Sequence, residues 1–578
     1  MCGIYGTTLK DANLAEAAAK SFCYRGPDAF SLRIDDGVIF AHNRLSIIDL
    51  DPRSTQPMLD ENNENSIVFN GEIYNYAQLK QLVPEYKFRT TSDTEVILAL
   101  YNKFGAEFLK YLSGMFALAI HDKKKAEILI ARDHGGIKPL YYTLENKEII
   151  FASEMKGIVT AKEGKAEIDR DAIDLYFTLG YVPTPKTIYK NIFKLPPGTF
   201  AVFGLPSRTL STPTKFNPDV PVIKNEEELF KQIEEAIVAH TIADVPVGIF
   251  FSGGIDSSLI SAVLHARGID LNAYSITMEH KSNDEYYSKK IAEHLGFNYK
   301  AEFFGPKEFE EVYDTVMSHI DEPIYDMSLF PTYFVSRIAS KDVKVVLSGE
   351  GGDENFYGYE RHLVMWSLRE KFDANFDVYD SIYFALPEFR GKSVLARKIY
   401  KLIGKPFSYY LLEMGQLPNR NGFKLAKQII SNYTNYAPHL DLTTYLENDL
   451  LRKTDMATSY NSIEGRVPLL APTLFSVNEE IESAKLRNGN RKALLKKLLK
   501  RYLPEELVER PKSGFSINVK SICRNSAKFQ TDLKLALEYL KKENLLPNSI
   551  IKNPDLTSRL PYVAFMCIAL YRSIKNTQ

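Results

Sequence analysis

The chain has 578 residues, 45% hydrophobic and 25% charged, the balance of an ordinary soluble protein with two or more domains. Its formal net charge of -1 supplies no global field for nucleic acid or an anionic membrane, so neither is expected as a partner. The four cysteines, Cys2, Cys23, Cys523 and Cys567, show no CxxC spacing and no paired framework, which argues against a zinc site or disulfide scaffold and fits a reducing cytoplasm.

The chain opens with "MCGIYG" and carries no charged region followed by an apolar run, so no signal peptide is expected, nor is any apolar stretch long enough to span a bilayer. Removal of Met1 would place the Cys2 thiol beside a free α-amine. An α-amine titrates near ~8 and a thiol near ~8.5, so the amine can draw the proton from the thiol without a second side chain. Taken alone, the stretch is equally what an accidental cysteine in a frayed terminus would look like.

Short β-like runs follow: "GVIFAHNRLSIID", "NSIVFNGEIYN", "MFALAIHD", "AEILIARD", "KPLYYT" and "EIIFASE". Between them "SDTEVILALYNKFGAEFLKYL" reads as a helix with Ser92 or Asp93 near its N-cap. Many strands with a few helices predict layered sheets covered by helices. Residues 205–224, rich in Pro, Ser and Thr, read as a linker between domains 2–204 and 225–578. Beyond it the pattern changes to helix, buried strand, helix. "VPVGIFF" and "VKVVLSGEGGDE" are continuous apolar runs of the kind found in parallel strands buried on both faces. After Trp366 the sequence reads as mostly helical.

"VGIFFSGGIDSSLISAVLHARG" is the most informative stretch. A strand ends at Phe251, Ser252, Gly253 and Gly254 turn the chain, and Ser257 and Ser258 open a helix. Glycines let backbone N–H groups approach a ligand, and a helix N-terminus favours an anion. No Lys-Ser/Thr follows the glycines, so this is not a Walker A loop. The order resembles the PP-loop of enzymes that cleave ATP to AMP and pyrophosphate. Asp256 would repel phosphate but suits Mg²⁺, which takes one or two carboxylates plus phosphate oxygens. "SGEGGDENF" follows a second buried strand and offers Glu350, Asp353 and Glu354 to the same cleft, because ligands collect at the carboxyl ends of parallel strands.

With these motifs in one order, the chain resembles the glutamine-dependent asparagine synthetase family over nearly its whole length. The resemblance rests on "MCGIYG", "YRGPDA", "HNRLSIIDL", "FNGEIYNY", "SDTEVIL", "ARDHGGIKPLYY" and "SEMKGI" in the first half. In the second half it rests on "SGGIDSS", "VVLSGEGGDE", "IEGRVPLL" and "RPKSGF". It implies an α/β two-domain protein: a layered αββα glutaminase domain of the N-terminal-nucleophile type, then a parallel-sheet PP-loop synthetase domain with a mostly helical tail. Cys2 would attack the glutamine amide, with Asn70 and Gly71 as oxyanion donors. Arg44, Ile48, Asn70, Gly71, Glu72 and Asp93 would bind glutamine, with Arg44 on the α-carboxylate and Glu72 and Asp93 on the α-ammonium. ATP would lie against Phe251, Ser252, Gly253, Gly254 and Ser257, with adenine near Ile276 and Gly349, and Ser348 beside it. Asp256 and Asp353 would hold Mg²⁺, Glu350 would act as general base, and Lys512 would neutralise the leaving phosphates.

The implied reaction uses ATP, glutamine and a carboxylate acceptor, aspartate in the leading reading, with ammonia travelling internally between the sites. A sugar uronic acid is the alternative acceptor, and a non-catalytic regulatory relative the remote one. Oligomeric state stays open, with a homodimer among the options. Three departures from the family's usual pattern are expected to touch the acceptor pocket: "DENFYGY" with Asn355 and Tyr357, "RVPLLAP" with Ala471, and the segment after Ile276, "TMEHKSNDEYYSKKIAEHLG".

Overall fold

In a computed structural model, residues 1–278, 283–368, 419–431, 440–486, 489–509 and 519–578 are described, together with Leu417. The first half contains strands β1 (Gly3–Thr7), β2 (Ala29–Asp35), β3 (Val38–Arg44), β4 (Met58–Leu59), β5 (Asn65–Ile73), β6 (Gly114–Asp122) and β7 (Glu127–Arg132). It continues with β8 (Tyr141–Glu145), β9 (Glu148–Ala152), β10 (Phe193–Lys194), β11 (Thr199–Gly204), β12 (Thr209–Leu210) and β13 (Thr214–Lys215). They form two antiparallel sheets, ordered β10-β8-β9-β1-β3-β2 and β12-β11-β7-β6-β5-β4.

The two sheets face each other across one apolar layer. Ile4, Phe40 and Phe151 from the first meet Val68, Ala119 and Ile130 from the second. The outer face of the first sheet is covered by helices Ala12–Lys20 and Met155–Ala161, and that of the second by helix Asp93–Phe104. This is the αββα layering expected. It also explains why all nine residues of β6 are buried: sheet packs on one face and helix on the other. Ser92 is the N-cap of helix Asp93–Phe104, its side chain accepting from the Thr94 N–H.

The stretch 205–224, read as linker, is not free of sheet structure. β12 and β13 both pair with β11, so the polar segment folds back on the edge strand before leaving it. Its Thr-rich composition suits a half-exposed edge as well as it suits a loop.

The second half is built on five parallel strands: β14 (Val247–Phe250), β15 (Asn272–Thr277), β16 (Asn298–Phe303), β17 (Val345–Leu347) and β18 (Glu464–Arg466). Their spatial order is β16-β15-β14-β17-β18. The order reverses between β14 and β17, which makes that point a topological switch where a crevice opens beyond the strand ends. The two motifs singled out by sequence, Ser252–Ser257 and Ser348–Asp353, follow these two strands. The helix after β14 runs Ile255–Ala266 with Gly254 at its N-cap, so it begins two residues earlier than Ser257.

Candidate active sites

The chain start is held by sheet pairing. β1 pairs with β3 in the register Gly3↔Asn43, so Cys2 lies beside the end of β3, which carries Arg44 and Leu45. The Cys2 Sγ accepts from the Leu45 N–H at 3.5 Å and lies 3.7 Å from the Leu45 carbonyl. Burial pushes this thiol above its ordinary value. Met1 is buried ahead of it, and burial pulls the Met1 α-amine down to about 5.

Asn70 and Gly71 come from β5 of the facing sheet. Phe116, opposite Gly71, spends its carbonyl on the Asp133 N–H at 2.8 Å and its own N–H on Asp133 Oδ2 at 3.0 Å. Gly71 and Phe116 are therefore a non-hydrogen-bonded pair, and the Gly71 N–H faces away from β6. On that same outer edge the Phe69 N–H donates to Gln56 Oε1 at 2.6 Å and the Ile73 N–H to Asp93 Oδ2 at 3.0 Å. The Gly71 N–H sits between them. Glycine is required there, since a Cβ would lie 2.1 Å from the Met115 carbonyl oxygen. Asn70 is fully buried, yet neither its Oδ1 nor its Nδ2 has a hydrogen-bond partner. A buried amide with both ends unsatisfied has its donor and acceptor available to a substrate.

Arg44 is held by the loop that follows β3. Its guanidinium donates to the carbonyls of Asp49 at 2.5 Å and Asp51 at 3.1 Å, and to Thr55 Oγ1 at 3.2 Å. Five donors in a planar fork leave part of it for a carboxylate. Ile48 lies half-buried in the same loop. Glu72 and Asp93 are both buried, and burial pushes both carboxyls up, that of Glu72 further because Asp93 adds like charge. Two facing buried carboxylates suit a cation between them.

In the second half, a cavity of about 310 Å³ opens at the switch point. Phe251, Ser252, Gly254, Asp256, Ser257 and Ile276 line one side, and Ser348, Gly349, Glu350 and Asp353 the other. Gly253 is not among the lining residues; it shapes the turn, with φ +68° and the Ser288 backbone 2.8 Å from where a Cβ would stand. Lys512 lies outside the described residues.

Two lysines that sequence reasoning passed over stand here. Lys492 pairs with Asp256 and, at 2.9 Å, with Asp353 Oδ1, so the two carboxylates converge on one cation. Lys453 pairs with Glu350 Oε1 at 3.3 Å, and Thr454 Oγ1 donates to the same oxygen at 3.3 Å. Lys453 came from "LLRKTDMA", which carries no local signal beyond a helical face. Asn355, Tyr357 and Ala471 do not line the cavity, and residues 279–282 of the third departure lie outside the described residues. Asn355 donates to the Leu469 carbonyl at 3.3 Å and accepts from Lys485 at 3.0 Å. The Tyr357 hydroxyl donates to Glu482 at 2.9 Å, and Ala471 packs with Phe356 and Leu474.

Asp256 and Asp353 converge on the Lys492 ammonium, and two hard oxygen donors at a phosphate turn have the chemistry to hold Mg²⁺, with the remaining ligands left to substrate phosphates. Between the halves lies a further small space of about 10 Å³, lined by Arg132 and Lys194 on one side and Glu322, Glu447, Arg452 and Asp455 on the other. That is room for one water-sized molecule.

A part-buried thiol directly behind Met1 and an unsatisfied Asn70 amide in one half, and a phosphate turn at a sheet switch point in the other, are the features of a two-site amidotransferase. The comparisons with known proteins agree. Residues 1–212 match the glutamine amidotransferase domain and residues 228–553 match asparagine synthase. The chain is 34% identical to asparagine synthetase [glutamine-hydrolyzing] 1 of Bacillus subtilis, over 91% of this chain and 88% of that one. It is 38% identical to a putative asparagine synthetase of Methanocaldococcus jannaschii, over 63% of this chain and 76% of that one. It is 32% identical to asparagine synthetase B of Escherichia coli, over 62% and 65%. The chain belongs to the glutamine-hydrolysing asparagine synthetase family, and is an ATP-dependent ligase.

Proposed function

We propose that the chain transfers the amide nitrogen of glutamine to the side-chain carboxylate of aspartate, with residues 2–204 hydrolysing glutamine and residues 225–578 activating the acceptor. The observation that carries this reading is the pairing of one unsatisfied catalytic amide, Asn70, with one phosphate cavity in the same chain.

Cys2, freed of Met1, loses its proton to its own amine and attacks the glutamine amide. The Asn70 Nδ2 and the Gly71 N–H hold the oxyanion, while Arg44, Glu72 and Asp93 hold the amino-acid end. In the other half Ser252, Gly254 and Ser257 cradle the phosphates, with Ile276 and Gly349 beside the adenine. Asp256 and Asp353 would hold Mg²⁺, which neutralises charge on the leaving pyrophosphate; Lys492 would then release them to the ion. Glu350 takes a proton from ammonia as it attacks the acyl-adenylate, and Lys453 orients that carboxylate. Ammonia released into water would be protonated and lose its nucleophilicity, which is the reason for an internal route between the sites. No helix among the described residues is long and apolar enough to cross a membrane. We place the reaction in the cytoplasm on other grounds: it consumes ATP and glutamine, and the thiol it relies on must stay reduced.

The test is pyrophosphate release with ATP and glutamine across a panel of carboxylate acceptors. Stimulation by aspartate with asparagine as product is expected. Stimulation by a sugar uronic acid and not by aspartate would overturn the acceptor while leaving the two-site chemistry standing.

A further inference from the structure

Arg466 lies on β18 in the synthetase half, 394 residues from Glu72, yet its Nη2 meets Glu72 Oε2 at 2.9 Å. Its guanidinium is fully buried, with Nε on Glu464 Oε1 at 2.9 Å and Nη1 on the carbonyls of His240 at 2.9 Å and Ile242 at 2.6 Å. Every nitrogen of the fork is therefore engaged, and the group has one orientation. The Glu72 Oε1 is buried with no N–H group on it, and Glu72 shares a hydrogen bond with the Asp93 carboxyl. Arginine thus fixes one oxygen of Glu72, and the rest of the group belongs to a buried pair of carboxyl groups. Such a pair is placed to receive a cation, which would take the position of the shared proton. The same residue also reaches the other site through its main chain. β18 pairs with β17, and the Arg466 carbonyl accepts from the Ser348 N–H at 2.8 Å, at the start of the Ser348–Glu350 turn.

We propose that Arg466, supplied by the synthetase half, is a positioning residue of the glutamine site. It sets the Glu72 carboxylate so that Glu72 and Asp93 together receive the α-ammonium of glutamine. The glutamine site is then complete only when the two halves are docked, and the strand that completes it is the one that anchors the turn of the ATP site. The proposal rests on the reading of Glu72 and Asp93 as ammonium acceptors.

The test compares kcat/KM for hydrolysis of glutamine with that for glutaramate, which is glutamine without its α-amino group, in the full-length enzyme. A ratio of the two is insensitive to the fraction of folded protein. The wild type is expected to prefer glutamine by about a hundredfold or more, since a site built for an N–H donor rejects the analogue lacking it. Arg466→Met should cut this preference at least about tenfold, by lowering the glutamine value while the glutaramate value changes far less. Equal loss for both substrates would make Arg466 a structural residue only and overturn the proposal. A wild type, or a Glu72→Gln variant, whose preference does not depend on the ammonium would overturn the reading of Glu72 itself, a distinguishable failure. Should Arg466→Met not fold, Arg466→Lys keeps the charge, but one ammonium cannot span Glu72, Glu464 and two carbonyls. A folded lysine variant with undiminished preference would also overturn the proposal.

Discussion

Asn70 shows what a single residue reveals. Leaving a buried amide unsatisfied costs a fold about 1–3 kcal/mol, and Asn70 leaves both its oxygen and its nitrogen so. Asn70→Ala is therefore expected to leave thermal stability unharmed while lowering kcat for glutamine hydrolysis by about 10²–10³, with KM moving less. Steady-state kinetics with a melting curve on the same sample checks both halves of that statement. Cys2 gives the pH prediction. Burial raises its thiol, so the reactive thiolate is scarce at neutral pH and grows as pH rises. Glutamine hydrolysis should climb from pH ~7 into the mildly alkaline range, in parallel with the rate of Cys2 alkylation. Cys2→Ala should abolish that activity and keep synthesis from ammonium salt, because the ATP cavity lies in the other half.

At the scale of elements, β5 and the phosphate turn carry separate expectations. A Cβ on Gly71 would drive into the Met115 carbonyl on the neighbouring strand, an atom that cannot swing away. Gly71→Ala should thus cost about 1–3 kcal/mol and glutaminase activity together, read as a lowered melting temperature and a loss of hydrolysis. The turn after β14 predicts the opposite locality. Asp256→Asn should abolish pyrophosphate release while glutamine hydrolysis persists, as coupled assays on one preparation would show. β3, β5 to β9, β14 and β17 were legible because their apolar runs are bounded by turn residues, whereas β15, β16 and β18 were not, since polar and charged residues interrupt them. β12 and β13 were not, since two-residue edge strands carry no periodicity. Nor was the wide i→i+5 helical segment Asp441–Leu451, which only packing between the halves selects.

The whole molecule is held together by buried charge between its halves. Arg25 binds Glu154 and meets Asp455 through two bonds of 2.8 and 3.0 Å, and Arg452 meets Glu154 at 2.8 Å and Asp321 at 2.7 Å. Replacing one member of such a network leaves uncompensated charge in the interior, which costs about 3–5 kcal/mol. Arg25→Met should accordingly lower the melting temperature and split a single calorimetric transition into two. It should also reduce the share of product nitrogen that comes from labelled glutamine when unlabelled ammonium competes. An unchanged single transition would show that these contacts do not couple the halves.

Sequence alone determined the chemistry available to this protein. The cysteine behind Met1, the Ser-Gly-Gly-x-Asp-Ser turn and the second acidic turn are contiguous, and contiguous residues keep their spacing in any fold. Only tertiary structure decided the pairings between residues far apart in the chain, the most distant of them 394 residues apart: Lys492 bridging Asp256 and Asp353, Lys453 on Glu350, and Arg466 on Glu72. Those pairings depend on strand order and on how the two halves dock. A lysine or arginine in a helix or strand reads the same in sequence whether it faces water or a buried carboxylate, because the partner that fixes its role comes from elsewhere in the chain.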